Sequence, residues 1–147
     1  MKKVVKEGTS ELITDYLGGY QYLNGNLQFF FQPEGYVNII KHGVDVLYIN
    51  YVYNYTDHLG NIRLSYGLDR GVLTILEENN YYPFGLKHEN YNVSKKQYEI
   101  ANSNPELVIC NNCDYKYKYN GKEFQDELEL NFYDYGARNY DPAIGRW

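Results

Sequence analysis

The residues in this chain whose types could carry chemistry are few. Cys110 and Cys113 stand as Cys-x-x-Cys, Asp134 and Asp141 are carboxylates of the closing run, and the histidines are His42, His58 and His88. A single Cys-x-x-Cys is half of a structural zinc site, which takes four ligands, and no histidine lies near it in the sequence. As a redox motif it would sit beside a βαβ pattern, and none is visible. The pair reads as two loop cysteines without a catalytic role, or as a local disulfide. Two carboxylates can share acid and base roles when their surroundings push their pKa values apart. Here, however, Asp134 precedes Tyr135-Gly136 and Asp141 precedes Pro142, which is the chemistry of turns. No Ser/His/Asp set, phosphate loop or metal cluster is legible, so the chain reads as a non-enzyme without a cofactor.

The elements that would position these residues read as strands. Leu47, Ile49, Tyr51, Tyr53 and Tyr55 alternate with Tyr48, Asn50, Val52, Asn54 and Thr56. That is the period of a long strand. Ile62, Leu64 and Tyr66 alternate with Arg63 and Ser65, and Tyr115, Tyr117 and Tyr119 alternate with Lys116 and Lys118. Such alternation predicts antiparallel sheets with one solvated face, and puts the last lysines in water. Tyr20 to Leu23, Asn24-Gly25 and Leu27 to Phe31 predict a hairpin, because Asn-Gly suits a primed turn. Helical signal is confined to Ser94 to Asn102, which lacks an apolar stripe. Residues 92–114, with Asn102-Ser103-Asn104-Pro105 near their centre, predict an insertion loop containing a short helix or hairpin. Asn92-Val93-Ser94 has the form of a glycosylation acceptor, a pattern common by chance.

Composition agrees. Among 147 residues there are 19 tyrosines, and Tyr pairs a large apolar ring with a hydroxyl that needs a partner. Sheets with half-wet faces follow, within a length that asks for one domain. A net charge of −5 argues against a nucleic-acid partner, which would call for a basic face. No run approaches the roughly 18 apolar residues of a spanning helix. Met1 to Val5 begins with charge but leads into Lys6-Glu7-Gly8, so it does not read as a signal peptide.

One sequence word occurs twice. Thr14-Asp15-Tyr16-Leu17-Gly18 and Thr56-Asp57-His58-Leu59-Gly60 are both Thr-Asp-x-Leu-Gly. Aspartate there can accept from backbone N–H groups two residues on, and glycine can take the left-handed conformation at little cost. The predicted unit is strand, Asp-x-x-Gly turn, strand, with turns at Asp15 and Gly18 and at Asp57 and Gly60. Asp126-Glu127-Leu128-Glu129 is a candidate third copy, with Glu129 where glycine belongs. Repeats of this kind point to stacked units that bury their faces against neighbours.

Tyr55 to Tyr66, with Asn79-Asn80-Tyr81-Tyr82-Pro83-Phe84-Gly85, resembles the tyrosine–aspartate repeat of RHS proteins. Tyr119-Asn120-Gly121-Lys122-Glu123-Phe124 and Tyr133-Asp134-Tyr135-Gly136 through Tyr140-Asp141-Pro142-Ala143-Ile144-Gly145-Arg146-Trp147 resemble the RHS repeat-associated core domain of bacterial polymorphic-toxin carriers. The resemblance spans residues 13–147, with 1–12 as a lead-in. It implies an all-β fold of antiparallel hairpins forming a curved, open strip of a β-shell, with turns at Gly85, Asp126, Gly136, Asp141 and Gly145. It further implies a structural, encapsulating role, partners in the rest of the shell and a C-terminal toxin, and a secreted or cell-surface setting. The family's aspartyl autoproteolysis segment follows Gly-Arg-Trp, so it would lie beyond Trp147 and no catalytic residue is expected here. Unpaired sheet edges would favour self-association. The alternative is a binding module whose tyrosine-rich face meets a cell-surface glycan or protein.

Overall fold

The computed structural model describes residues 1–42, 46–89, 94–101, 104–110 and 115–147. Its described part is all-β and antiparallel. Strands β1 (Lys2–Glu7), β2 (Ser10–Leu17), β3 (Tyr20–Leu23), β4 (Asn26–Gln32), β5 (Gly35–His42), β6 (Val46–Thr56), β7 (Ile62–Asp69) and β8 (Val72–Glu78) form one open sheet in chain order. The hairpin β9 (Lys96–Ala101) and β10 (Asn104–Ile109) follows. A four-stranded sheet of β11 (Tyr117–Tyr119), β12 (Lys122–Gln125), β13 (Phe132–Asp134) and β14 (Asn139–Tyr140) closes the chain.

Tight turns explain why sequential strands pair. At Asn24-Gly25 both φ values are positive, 48° and 77°, as the Asn-Gly signal predicted for a primed turn matching the strand twist. Arg70-Gly71 and Asn120-Gly121 repeat that geometry. The long alternation becomes β6, and Ile62 to Tyr66 lies in β7.

The sheet's inner face carries the core. Phe29, fully buried, packs edge-on against Tyr115 at 5.3 Å and Tyr36 at 5.7 Å, while Tyr36 and Tyr115 stack at 3.8 Å. A neighbouring cluster joins Val52, Leu76 and Tyr98, with Tyr36, Ile40 and Leu107 beside them. Each such side chain contributes about 1.5–3 kcal/mol on burial. One cluster attaches the β9–β10 hairpin to the sheet, and the other attaches the start of β11.

Residues 2–7, within the expected lead-in, form the edge strand of the large sheet, paired with β2 from Lys2↔Asp15 to Glu7↔Ser10. Of the helix or hairpin expected within residues 92–114, the described part forms the hairpin, and the stretch with helical composition supplies β9. Two expectations change. The two Thr-Asp-x-Leu-Gly copies fold differently. Asp57 leaves β6 for a turn, whereas Asp15 lies within β2, paired with both Lys2 and Tyr22, and the turn falls at Gly18-Gly19. Lastly, the lysines beside Tyr115, Tyr117 and Tyr119 are not solvated: the Lys116 and Lys118 side chains are only 20% and 13% exposed. The ladder skips Lys118, pairing Tyr117 with Glu123 and Tyr119 with Lys122. A bulge re-aims a side chain in this way.

Candidate functional site

The motif words of the sequence meet where the inner face of the large sheet receives the C-terminal strands. Glu77, at the end of β8, is 4% exposed. Its carboxylate accepts from Lys118 Nζ at 2.5 Å and Lys87 Nζ at 2.8 Å. Two bulges aim the pair. Ser65 faces Glu77 and Tyr66 faces Ile75, so Leu76 is left out of the β7–β8 ladder, and Lys118 is left out of β11–β12. Burial alone would raise the Glu77 pKa, but the charges of Lys118 and then Lys87 override it and hold the carboxyl down at about 2. For both lysines burial wins over the attraction of Glu77, and their pKa values fall below the ordinary ammonium range. Nearby Asn79 is fully buried, and its side-chain amide makes no hydrogen bond with the described residues.

A second polar node lies on the Tyr-Asn-Gly-Lys-Glu-Phe run. Glu123 on β12 accepts from Lys3 Nζ at 2.5 Å, Tyr16 Oη at 2.8 Å and Tyr117 Oη at 3.1 Å. Lys3 also donates to Glu127 at 2.9 Å. Burial opposes the Lys3 charge, yet its hydrogen bonds to Glu123 and Glu127 prevail and raise its pKa. Burial and the Glu123 charge together raise Tyr16 and Tyr117 far above the ordinary phenol range. These tyrosines are therefore fixed donors.

The other tyrosines use their hydroxyls to close backbone carbonyls. Tyr81 Oη donates to Ile62 O at 3.1 Å and Lys118 O at 3.2 Å, tying β7 to β11. Tyr133 Oη donates to Gly85 O at 3.2 Å, Tyr140 Oη to Phe84 O at 3.1 Å, and Tyr98 Oη to Leu68 O at 2.9 Å. A buried ring with a satisfied hydroxyl gives both apolar burial and a hydrogen bond.

Asp57 Oδ1 accepts from the N–H of Leu59 at 2.9 Å and of Asn61 at 3.0 Å. Burial would raise its pKa, but the hydrogen bonds from Asn61 and Leu59 lower it. Asn61, itself buried, accepts from Asn120 N at 3.1 Å, so one motif docks on the other's turn. Gly60 has φ +81°. Gly85 has φ +85°, and a Cβ there would meet the Tyr119 ring at 2.6 Å, so only glycine fits. Asp126 pairs with Lys116 and precedes a 3-10 turn at Glu127–Glu129. Asp134 Oδ1 accepts from Gly136 N at 2.6 Å, and Asp141 Oδ1 from Ala143 N at 2.8 Å. Gly145 (φ +65°) lies against Phe84. Each of the two aspartates thus closes its own turn. Asp15 alone of these residues is removed from a turn by its strand pairing.

The sequence reading missed Glu77, Lys87, Lys118 and Glu123 as a set. Glu77 closes the run Val72-Leu73-Thr74-Ile75-Leu76 beside Glu78, so nothing in the sequence marks it as inward-facing. Between these elements lies a cleft of about 580 Å³ whose walls include Tyr81, Tyr133, Phe124, Lys87 and Lys118. Cys110 is disulfide-bonded. Cys113, Asn92 and Val93 lie outside the described residues. Among the described residues no group of three or more His, Cys, Asp or Glu side chains is placed to hold a metal ion, and no helix is long and apolar enough to cross a membrane. What the site does physically is join strands distant in sequence. No family model matches the chain, and no curated protein matches it.

Proposed function

We propose that this chain is a wall segment of an RHS-type β-shell, with a structural, encapsulating role rather than a catalytic one. The observation that carries the reading is the openness of the eight-stranded sheet: β1 and β8 pair on one side only. An edge strand offers unpaired N–H and C=O groups to a further strand, which a wall built of repeating hairpins requires. Support comes also from where the resemblance falls. The tyrosine–aspartate word at Tyr55 to Asn61 and the word at Tyr119 to Phe124 dock on each other through Asn61 and Asn120. The partners under this reading are further shell strands and a toxin domain enclosed by them, in a secreted or cell-surface protein of bacterial type.

The test is association through the edges. Light scattering across a concentration series should register assemblies that keep growing. Hydrogen exchange should report slower amide exchange in β1 and β8 as they grow. A chain that stays monomeric at high concentration, with both edges exchanging freely, overturns the proposal.

A further inference from the structure

The large sheet carries large apolar side chains on both faces, and the chain's own described elements cover one. Lys3, Tyr16, Phe29, Tyr36, Val52 and Leu76, through which the sheet meets β9–β12, all lie on the inner face. The opposite face follows from the register. Tyr20, Phe30, Val37 and Tyr51 form one row across β3 to β6. Tyr53, Tyr66 and Ile75 form the next across β6 to β8, with the Tyr53 and Tyr66 rings stacked at 5.8 Å. Ile39↔Ile49 and Leu68↔Leu73 extend it. Val37 and Ile39 are buried at its centre, 2% and 7% exposed, between taller neighbours, and those neighbours stand in the open: Ile49 51%, Tyr51 54%, Tyr55 66%, Leu68 62%, Leu73 68% and Ile75 46% exposed. Among the described side chains of this face charges occupy the rim, with Lys2↔Asp15 and Lys6↔Glu11 on the outer strands, Lys41 near the end of β5 and Glu78 at the end of β8.

We infer that this face packs against the same face of a second copy of the chain, making a two-sheet sandwich with the dimer axis near β5 and β6. A neutral centre opposes nothing when it meets its own image, and a rim of mixed sign lets Lys meet Asp or Glu across the two-fold. Six strands about 4.8 Å apart, each about seven residues of 3.4 Å, give a patch of roughly 600 Å² per copy. Doubled, that reaches the ~1,200 Å² at which specific interfaces begin. Two identical twisted sheets also satisfy the aligned packing angle of about 30° without distortion. A glycan fits less well, because its hydroxyls would lose water against Ile49, Leu68, Leu73 and Ile75, none of which can hydrogen-bond.

This inference concerns a face, not an edge, and stands independently of the shell reading. The experiment is light scattering at low micromolar concentration, below that at which edges extend. Wild type should have the mass of two chains. Tyr51→Lys combined with Ile75→Lys, both at exposed positions, should halve it, as should Leu68→Lys with Leu73→Lys. Leu59→Lys, in an exposed turn away from the strand face, should leave it at two. Circular dichroism and melting temperature establish that each variant is folded. A wild-type mass of one chain overturns the inference, as does a two-chain mass that survives both face variants. Glycan-array binding by a chain that remains monomeric overturns it as well. If the face contact fails while masses still grow with edge protection, the shell reading stands alone. If the dimer forms and never grows, only the shell reading falls.

Discussion

Tyrosine in this protein acts at both ends of its side chain. Tyr81, Tyr98, Tyr133 and Tyr140 bury ring surface and close carbonyls of distant segments, so the residue does the work that an apolar core and a backbone ladder would otherwise divide. The backbone is less well served at Glu127–Glu129. Leu128 and Glu129 have φ of 54° and 60°, where a side chain costs about 1–2 kcal/mol. The Glu129 side chain makes no hydrogen bond or ion pair with the described residues that would offset this. Glu129→Gly relieves that strain and returns part of the gain as lost unfolded-state restriction. The expected net is about 0.5–1 kcal/mol of added stability, a rise of about 2–3 °C in Tm for a chain of this size. A flat or lowered Tm in thermal unfolding would refute the left-handed turn.

At the scale of elements, β1 is held at a distance. Its pairing with β2 is local, but its inward anchor is Lys3, bound to Glu123 at 2.5 Å and Glu127 at 2.9 Å on the C-terminal sheet. Glu123 is nearly buried, so removing its charge leaves Lys3, Tyr16 and Tyr117 short of an acceptor. Glu123→Ala should cost about 3 kcal/mol, and hydrogen exchange should find the β1 amides opening well before those of β5 and β6. Equal acceleration in all strands would mean that Glu123 supports the whole fold and not this edge. None of this was legible in the sequence, although the strands themselves were. Asn24-Gly25 and the alternation of β6 speak through neighbours in the chain, where turn geometry and period two suffice. The bulges at Leu76 and Lys118 shift that period by one residue, and only a partner strand reveals the shift. Likewise Thr14 to Gly18 and Thr56 to Gly60 are the same word. β1 extends its pairing through Asp15 and keeps the first copy in a strand, while β6 ends at Thr56 beside an irregular register and frees Asp57 to make its turn.

Across the whole molecule, the Glu77–Lys118–Lys87 group is the electrostatic seam between the large sheet and the C-terminal strands. Its pH dependence has a definite sign. The Glu77 pKa is about 2 in the folded chain against an ordinary 4.5, so the unfolded state binds the proton more readily. The stabilisation is complete above pH 4.5, drains away as pH falls, and is gone at about pH 2. By linkage it amounts to about 3 kcal/mol. Urea unfolding between pH 5 and 2 should register that loss in wild type, while Glu77→Gln should be less stable at neutral pH and flatter in acid. Identical pH slopes in the two proteins would assign the acid sensitivity to other carboxylates. The same variant tests whether the layers unfold together. Trp147 is the single tryptophan and packs on Tyr135 at 4.7 Å and Tyr140 at 5.1 Å, so its fluorescence reports the C-terminal sheet, while far-ultraviolet dichroism is dominated by the eight strands. Coincident transitions are the mark of one cooperative unit, and wild type should give them. In Glu77→Gln the two partly buried lysines lose their counter-charge and push the layers apart, so the tryptophan transition should precede the dichroic one. Transitions that stay coincident would mean that the tyrosine hydroxyl bonds from Tyr81, Tyr133 and Tyr140, and not the ion pairs, hold the two sheets together.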